Sequence, residues 1–563
     1  MTQTRLRSGG QILVDQLKIH GADLIFGVPG ESYIAVLDAL YDAQDTMRFI
    51  ICRHEAGAAN MAEAYGKMTG RPGICMVTRG PGACHASLGL HTGFQDSTPM
   101  ILFIGQVDRD MREREAFQEI DYRRMYGQMA KWVAEIDHAH RIPEFVNRAF
   151  SVATSGRPGP VVLALPEDML RDTVEAMDAL PFKPVQAHPG AAQMIELSER
   201  LSKARRPFMI VGGGTWNAEA KADIEVFATA WDLPVGVSFR CQDYVSNELP
   251  VFAGDVGIGI NPKLMARIQE ADLLIAAGPR LGEITTSGYT LLDIPVPKQA
   301  LVHIHPGAEE LNRVFQPALA INAGLPHFAA AAKALVPPAS IPWRERTLQA
   351  RADYVANQDV PPPPGPLDMV AIVRHLREVL PDDAIVTNGA GNYATWIHRF
   401  FRFRNWRTQL APTSGAMGYG VPAGVAAAIL HPDRTVLSVS GDGCFMMNGQ
   451  ELATAMQYRA KPIFLVVNNG MYGTIRMHQE RRYPERVSGT ELLNPDFAAY
   501  ARAFGAYGET VERTEDFAPA FERARKAGVA ALLELKLDPE AITPRQSLSQ
   551  IRAAALAAGH GHS

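Results

Sequence analysis

Gly441-Asp442-Gly443 stands ahead of a paired asparagine, Asn468-Asn469, with 27 positions (469 − 442) between Asp442 and the second asparagine. An Asp carboxylate, an Asn amide oxygen and a main-chain carbonyl just beyond it are hard oxygen donors. So few of them suit Mg²⁺ completed by phosphate oxygens and water. The flanking glycines let the backbone approach a diphosphate, whose charge a following helix N-terminus favours. Gly-Asp-Gly alone also makes ordinary loops, and the spacing to a strand ending in Asn-Asn gives the motif its weight.

Asp442 and Asn469 meet only if secondary structure brings them together. Thr435–Ser440 and Ile463–Val467 are short, apolar, β-branched-rich runs that predict buried parallel strands, and Gly449–Arg459 between them is helix-compatible. A right-handed crossover in such a βαβ unit sets the turns at the C-terminal ends of both strands side by side. The first part of the chain alternates in the same way. Leu24–Gly30 reads as strand and turn, Ile34–Tyr41 as helix, and Phe49–Cys52 as a strand ending at Arg53-His54-Glu55. Ala56–Thr69 reads as helix, and Ile74–Thr78 and Met100–Gly105 as strands. After Pro-rich Leu180–Pro184 come strands at Pro207–Val211, running into Gly212–Gly214, and at Asp272–Ala277 and Ala300–His305. Pro361–Pro364 makes a stiff linker. The expectation is an α/β protein of three domains with parallel sheets, at 1–180, 190–340 and 367–537, the first and third of one type and the middle one different. The tail, 538–563, with His560 and His562 near its end, is expected to be loose.

At this point the chain resembles the thiamine-diphosphate (ThDP) enzymes, whose Gly-Asp-Gly and Asn-Asn signature holds Mg²⁺ and the cofactor diphosphate. Val77–Gly82, Asp96–Gln106, Ala116–Glu119, Arg157–Pro160, Gly415–Pro422 and Leu493–Phe497 are similar, in order, to the acetohydroxyacid synthase and 2-oxoacid decarboxylase branch over nearly the whole chain. The resemblance implies a pyrimidine-binding, a central and a diphosphate-binding domain. It implies Asp442, Asn469 and the Met471 carbonyl as Mg²⁺ ligands, with Gly389, Ala390, Gly391, Asn392, Gly441, Gly443, Cys444 and Tyr472 around the cofactor and Met417 under its bend. Glu55 is implied as the catalytic carboxylate against the aminopyrimidine N1′, where it favours the imino tautomer that removes the thiazolium C2 proton. The family builds this site between subunits, which implies a homodimer or homotetramer acting on a small 2-oxoacid.

Substrate-side positions match less evenly. Phe117 and Gln118 match the pocket-lining pair of the synthases, whereas Glu31, after Gly30, stands where synthases carry glycine and decarboxylases often an acid. Arg79 replaces a small residue; it is read as pairing with a substrate carboxylate or with Glu31, or as turned to solvent. His478 replaces the tryptophan by which synthases choose their second substrate. In the middle domain Gly212–Gly214 and Arg280 match a loop and an arginine that contact FAD in the synthases, while oxalyl-CoA decarboxylases bind ADP there. His303-Ile304-His305 departs from the acid common at that strand end, so FAD stays open. The implied activity is carboligation or decarboxylation. A 2-hydroxyacyl-CoA or oxalyl-CoA lyase is the alternative, for which Arg545 and Arg552 are few cations. A non-catalytic regulator is opposed by the joint presence of Glu55, Asp442 and Asn469.

The chain has 563 residues, 47% hydrophobic and 20% charged, with a net charge of −5 and no Lys/Arg cluster, which argues against nucleic acid. No apolar run approaches the roughly 18 residues of a membrane span, and Met1–Arg7 leads into no apolar signal core. Cys52, Cys75, Cys84, Cys241 and Cys444 are scattered and without metal spacing, in keeping with reduced thiols. Together these give the expectation of a cytoplasmic protein.

Overall fold

The computed structural model describes residues 5–559, so His560 and His562 lie outside the described residues. Three six-stranded parallel sheets and one antiparallel strand pair, Arg5–Ser8 with Thr173–Ala176, form the framework. With the six strands of each parallel sheet numbered in chain order, the first and third sheets both run 2-1-3-4-6-5, while the middle one runs 3-2-1-4-5-6. The sequence expectation of one type flanking a different one holds at the level of strand order.

The inner strands of the parallel sheets are buried, while edge strands such as Arg48–Ile51 and Tyr507–Val511 are partly open. Met100–Gln106, Pro160–Pro166, Val436–Gly441 and Ile463–Asn468 have no exposed residue, which is why they read as unbroken apolar runs without alternation. Val436–Gly441 pairs in parallel with Ile463–Asn468, Leu437 opposite Ile463 and Gly441 opposite Val467. Asp442 and Asn469 therefore leave adjacent strands at the same edge.

The chain forms two units. One holds the first sheet. In the other, the central and third domains join through buried polar contacts: the Asp243 carboxylate accepts from the Thr408 and Gln409 amides at 3.0 and 3.3 Å, and Asn247 exchanges hydrogen bonds with the Phe403 backbone. Buried groups of this kind stay paired because losing a partner leaves a desolvated donor or acceptor. The proline linker thus connects two domains of one unit.

Two local expectations change. The segment after Asp442 is not one helix: a single turn, Asp442–Phe445, is followed by a 3-10 turn, Gly449–Glu451, and a short helix, Leu452–Gln457. Asn448 donates to the Gly418 carbonyl at 2.9 Å, and the Phe445 ring lies where a Cβ on Gly449 would fall, so tertiary contacts break the helix. The tail, expected to be loose, contains the helix Leu548–Ala557. Ser547 and Gln550 form a capping box at its start. Leu548 and Ile551 pack with Met477 and Ile542, and Arg552 makes two hydrogen bonds to Glu480 at 2.7 and 2.8 Å.

Candidate active site

The loops that follow four elements of the third domain enclose a cavity of about 220 Å³. Ala390, Gly391 and Asn392, then Met417, then Gly441, Asp442, Gly443 and Cys444, and finally Asn469, Met471 and Tyr472 line it. Of the residues expected around the cofactor only Gly389 stays behind the wall. Its N–H donates to the Tyr393 hydroxyl at 3.0 Å, and a Cβ on it would meet Cys444 Sγ at 2.5 Å. Tyr393 and Cys444 are 3.1 Å apart, and the Gly418 N–H also reaches Sγ at 3.1 Å, so Cys444 ties two loops together. The glycines beside Asp442 have a steric reason of their own: Cβ atoms on Gly441 and Gly443 would strike the rings of Tyr393 and Tyr472 at 2.8 and 2.5 Å.

Asp442 is 3% exposed. Oδ1 accepts from the Gly443 N–H at 2.9 Å, while Oδ2 accepts from the Gly470 N–H at 2.9 Å and from Asn494 at 2.8 Å. Burial pushes its carboxyl above the usual range, and these neutral donors offset that only partly. A buried carboxylate at a cavity wall, with Asn469 and Met471 lining the same cavity, fits a divalent cation, whose charge offsets the cost of burying the ionised form. The two asparagines divide the work. Asn468 shapes the turn, donating to Glu534 at 2.7 Å and accepting from Gly470 and Asn494; Asn469 lines the cavity.

Sequence reasoning missed several residues here. Asn494 lies within Leu493–Phe497, a segment matched as a whole but given no role. Thr474 bonds the Asn392 side chain at 2.9 Å and accepts from its amide at 3.0 Å, and Ala541 and Ile542 from the tail line the cavity. Only the spatial return of the tail reveals them.

The first unit carries the other predicted set. Glu55 opens the helix Glu55–Thr69, capped by His54, and its Oε2 lies 2.9 Å from Nδ1 of His85. Gly30 precedes the 3-10 turn Glu31–Tyr33 and packs so closely on Thr78 that a Cβ there would overlap it. Arg79 is turned in from solvent and bridges Glu31 and Glu167, each at 3.2 Å. Phe117 stands 72% exposed, and Gln118, with φ 65°, rests on Gly80. His478 is an exposed residue of the helix Gly473–Arg482 in the second unit; partial desolvation and then Arg481 and Arg482 hold its imidazole below the usual range.

In the central domain the ends of Pro207–Val211, Leu273–Ala277 and Ala300–His305 close on one another. A Cβ on Gly213 would overlap the Gly278 carbonyl, His303 bonds the Pro279 carbonyl at 2.9 Å, and buried His305 bonds Gly307 at 3.0 Å. Arg280 lies 3.7 Å from buried Glu310, which also binds Arg313 at 2.8 Å.

Residues 7–125, 194–332 and 389–535 match the N-terminal TPP binding, central and C-terminal TPP binding domains of thiamine pyrophosphate enzymes. The acetolactate synthase isozyme 2 large subunit of Escherichia coli (strain K12) is 30% identical over 94% of this chain and 96% of its own length. The acetolactate synthase large subunit of Parasynechococcus marenigrum (strain WH8102) is 32% identical over 90% and 84%. The mitochondrial acetolactate synthase catalytic subunit of Saccharomyces cerevisiae (strain ATCC 204508 / S288c) is 28% identical over 94% and 81%. These relatives do not favour the CoA-lyase alternative. With matches in all three domains and relatives that cover nearly its full length, the chain belongs to the thiamine pyrophosphate enzyme family.

Proposed function

We propose that this protein is a ThDP- and Mg²⁺-dependent enzyme that decarboxylates a small 2-oxoacid and partitions the product between released aldehyde and a ligated hydroxyketone. The observation that carries the reading is Asp442, a buried carboxylate with neutral donors only, at the wall of a cavity built from the ends of adjacent parallel strands. Asp442, Asn469 and the Met471 carbonyl would hold the cation, and Gly391 and Gly443 would lie along the diphosphate. Met417 would support the bend between the two rings. When bound, ThDP supplies a nucleophilic carbon and an electron sink for the bond beside the carbonyl. Glu55 would hold and move the proton at N1′. Glu31, paired with Arg79 at 3.2 Å, would in its protonated form return a proton to the product and favour aldehyde.

The relatives are named acetolactate synthases, which supports a small 2-oxoacid as the substrate class. We read the protein as cytoplasmic and as a homodimer or homotetramer with Glu55 of one subunit completing the diphosphate site of another. No helix among the described residues is long and apolar enough to cross a membrane. For the central domain we favour a site without flavin, because His305, where the resemblance expects an acid, is buried and bonded to Gly307.

Product analysis tests the function. A panel of 2-oxoacids, with and without aldehyde acceptors, is expected to give CO₂ with aldehyde and hydroxyketone from pyruvate or a close analogue. Turnover of no 2-oxoacid together with cleavage of an acyl-CoA would return the lyase reading.

A further inference from the structure

The first domain holds a histidine pair beside Glu55 that the reaction, as described, does not use. The helices Glu55–Thr69 and Pro81–Asp96 pack in matched layers one turn apart, since residues four apart share a helix face. A Cβ on Gly89 would lie 2.5 Å from Ala59, and one on Gly93 would lie 3.6 Å from Cγ of Glu63. One turn before the Gly89 layer stands His85, and one turn before Ala59 stands Glu55. Glycine at 89 is what lets the helices approach closely enough for Nδ1 of His85 to come 2.9 Å from Glu55 Oε2.

His54 fixes the plane of that imidazole. Its ring stacks on His85, with centroids 4.4 Å apart and 29° between planes, while its own Nδ1 accepts the Ala56 N–H at 3.1 Å. An accepting Nδ1 places the proton on Nε2. Burial and then the neighbouring His85 hold His54 below its usual range, so it stacks as a neutral ring. Ligand atoms of His54, Glu55 and His85 lie within 4.8 Å of one another, but nearly parallel rings direct their nitrogen lone pairs side by side and not at a common centre. The cluster is shaped for a hydrogen bond, not for chelating an ion.

We infer that His85 is a positioning residue for Glu55: its Nδ1–H holds Oε2 so that Oε1, beside Gly82, is the oxygen presented to the cofactor's pyrimidine. A Cβ on Gly82 would stand 3.4 Å from Oε1, so that side of the carboxylate faces a residue with no side chain. A free glutamate has three side-chain torsions to order, and the His85 hydrogen bond orders them before the cofactor arrives. The inference rests on the reading of Glu55 as the group at N1′.

The test uses the full-length protein as wild type, H85L, H85N and E55Q. In the cofactor-free protein, ¹⁵N–¹H NMR of the histidine side chains is expected to show His85 protonated at Nδ1, with that signal displaced in E55Q. With ThDP and Mg²⁺ bound, H85L is expected to slow hydrogen–deuterium exchange at C2 by about tenfold or more, the scale of one hydrogen bond to a charged group, with ThDP affinity unchanged. H85N, whose amide N–H₂ falls near the place of Nδ1, is expected to recover most of the rate. Wild-type exchange in H85L, or no recovery in H85N, overturns the inference. Should H85L fail to fold, a His85 Nδ1–H signal that is absent, or unmoved in E55Q, overturns it instead. E55Q exchanging like wild type would bring down the reading of Glu55 itself, a separate result.

Discussion

At the scale of single residues, Asp442 and Glu55 carry opposite kinds of prediction. Asp442→Ala removes the one carboxylate in the cation set, and calorimetry is expected to find ThDP affinity lost in the mutant and, for wild type, in excess chelator. Asn494 donates to the Asp442 carboxylate and to Asn468 Oδ1, so Asn494→Ala is expected to weaken Mg²⁺ binding by about tenfold, as loss of an outer partner does. Glu55→Gln keeps the shape and loses the ionisable group. C2 exchange should slow by roughly 10² to 10⁴, the range of general acid–base assistance, with cofactor still bound; exchange at the wild-type rate would assign the proton to another group. Glu31→Gly leaves Arg79 to Glu167 alone, and product analysis is expected to show less aldehyde and more ligated product.

At the scale of elements, the helix Leu548–Ala557 holds the wall of the cofactor cavity from behind. Glu480 is buried on the helix Gly473–Arg482, bound by Arg552 and Arg476, and its carboxyl is held down at about 2, first by Arg552. A carboxyl depressed in the folded state contributes stability above its unfolded value near 4.5, and that contribution is lost as pH falls toward about 2. Arg552→Ala is expected to lower unfolding stability at pH 7 by about 2 kcal/mol, the scale of hydrogen bonds to a charged group, and to shrink the acid-side loss between pH 4.5 and 2. Denaturant titration across pH measures both; equal stability of mutant and wild type at pH 7 would show that Arg476 suffices.

At the scale of the molecule, a 2-1-3-4-6-5 sheet occurs before and again after a 3-2-1-4-5-6 sheet in the chain, with Glu55 in the first domain and Asp442 in the third. Light scattering is expected to give a dimer or tetramer, with activity falling as dilution separates subunits. The purified protein is expected to be colourless above 400 nm, roughly where flavin absorbs and where protein has no chromophore of its own. A yellow protein whose colour is released on denaturation would restore FAD to the central domain despite His305.

What the sequence determined by itself is what short-range chemistry determines. Buried parallel strands must be apolar along both faces, so Pro207–Val211 and Ala300–His305 are found at the bounds their composition predicts. The Gly-Asp-Gly and Asn-Asn turns lie at the ends of adjacent strands, and with them the meeting of Asp442 and Asn469 at one cavity was legible. Contacts between distant segments were not. The tail read as loose because its helix is short and Ala-rich; burial of Leu548 and Ile551 and the Arg552–Glu480 pair make it stable, and these exist only after residues 473–482 are in place. That Arg79 meets Glu31 and Glu167, 48 positions before and 88 after it, is decided by the fold. His85 and Glu55, 30 positions apart, show no periodicity that links them. Their meeting depends on how closely two helices approach, a distance decided by Gly89 and Ala59 in the folded core.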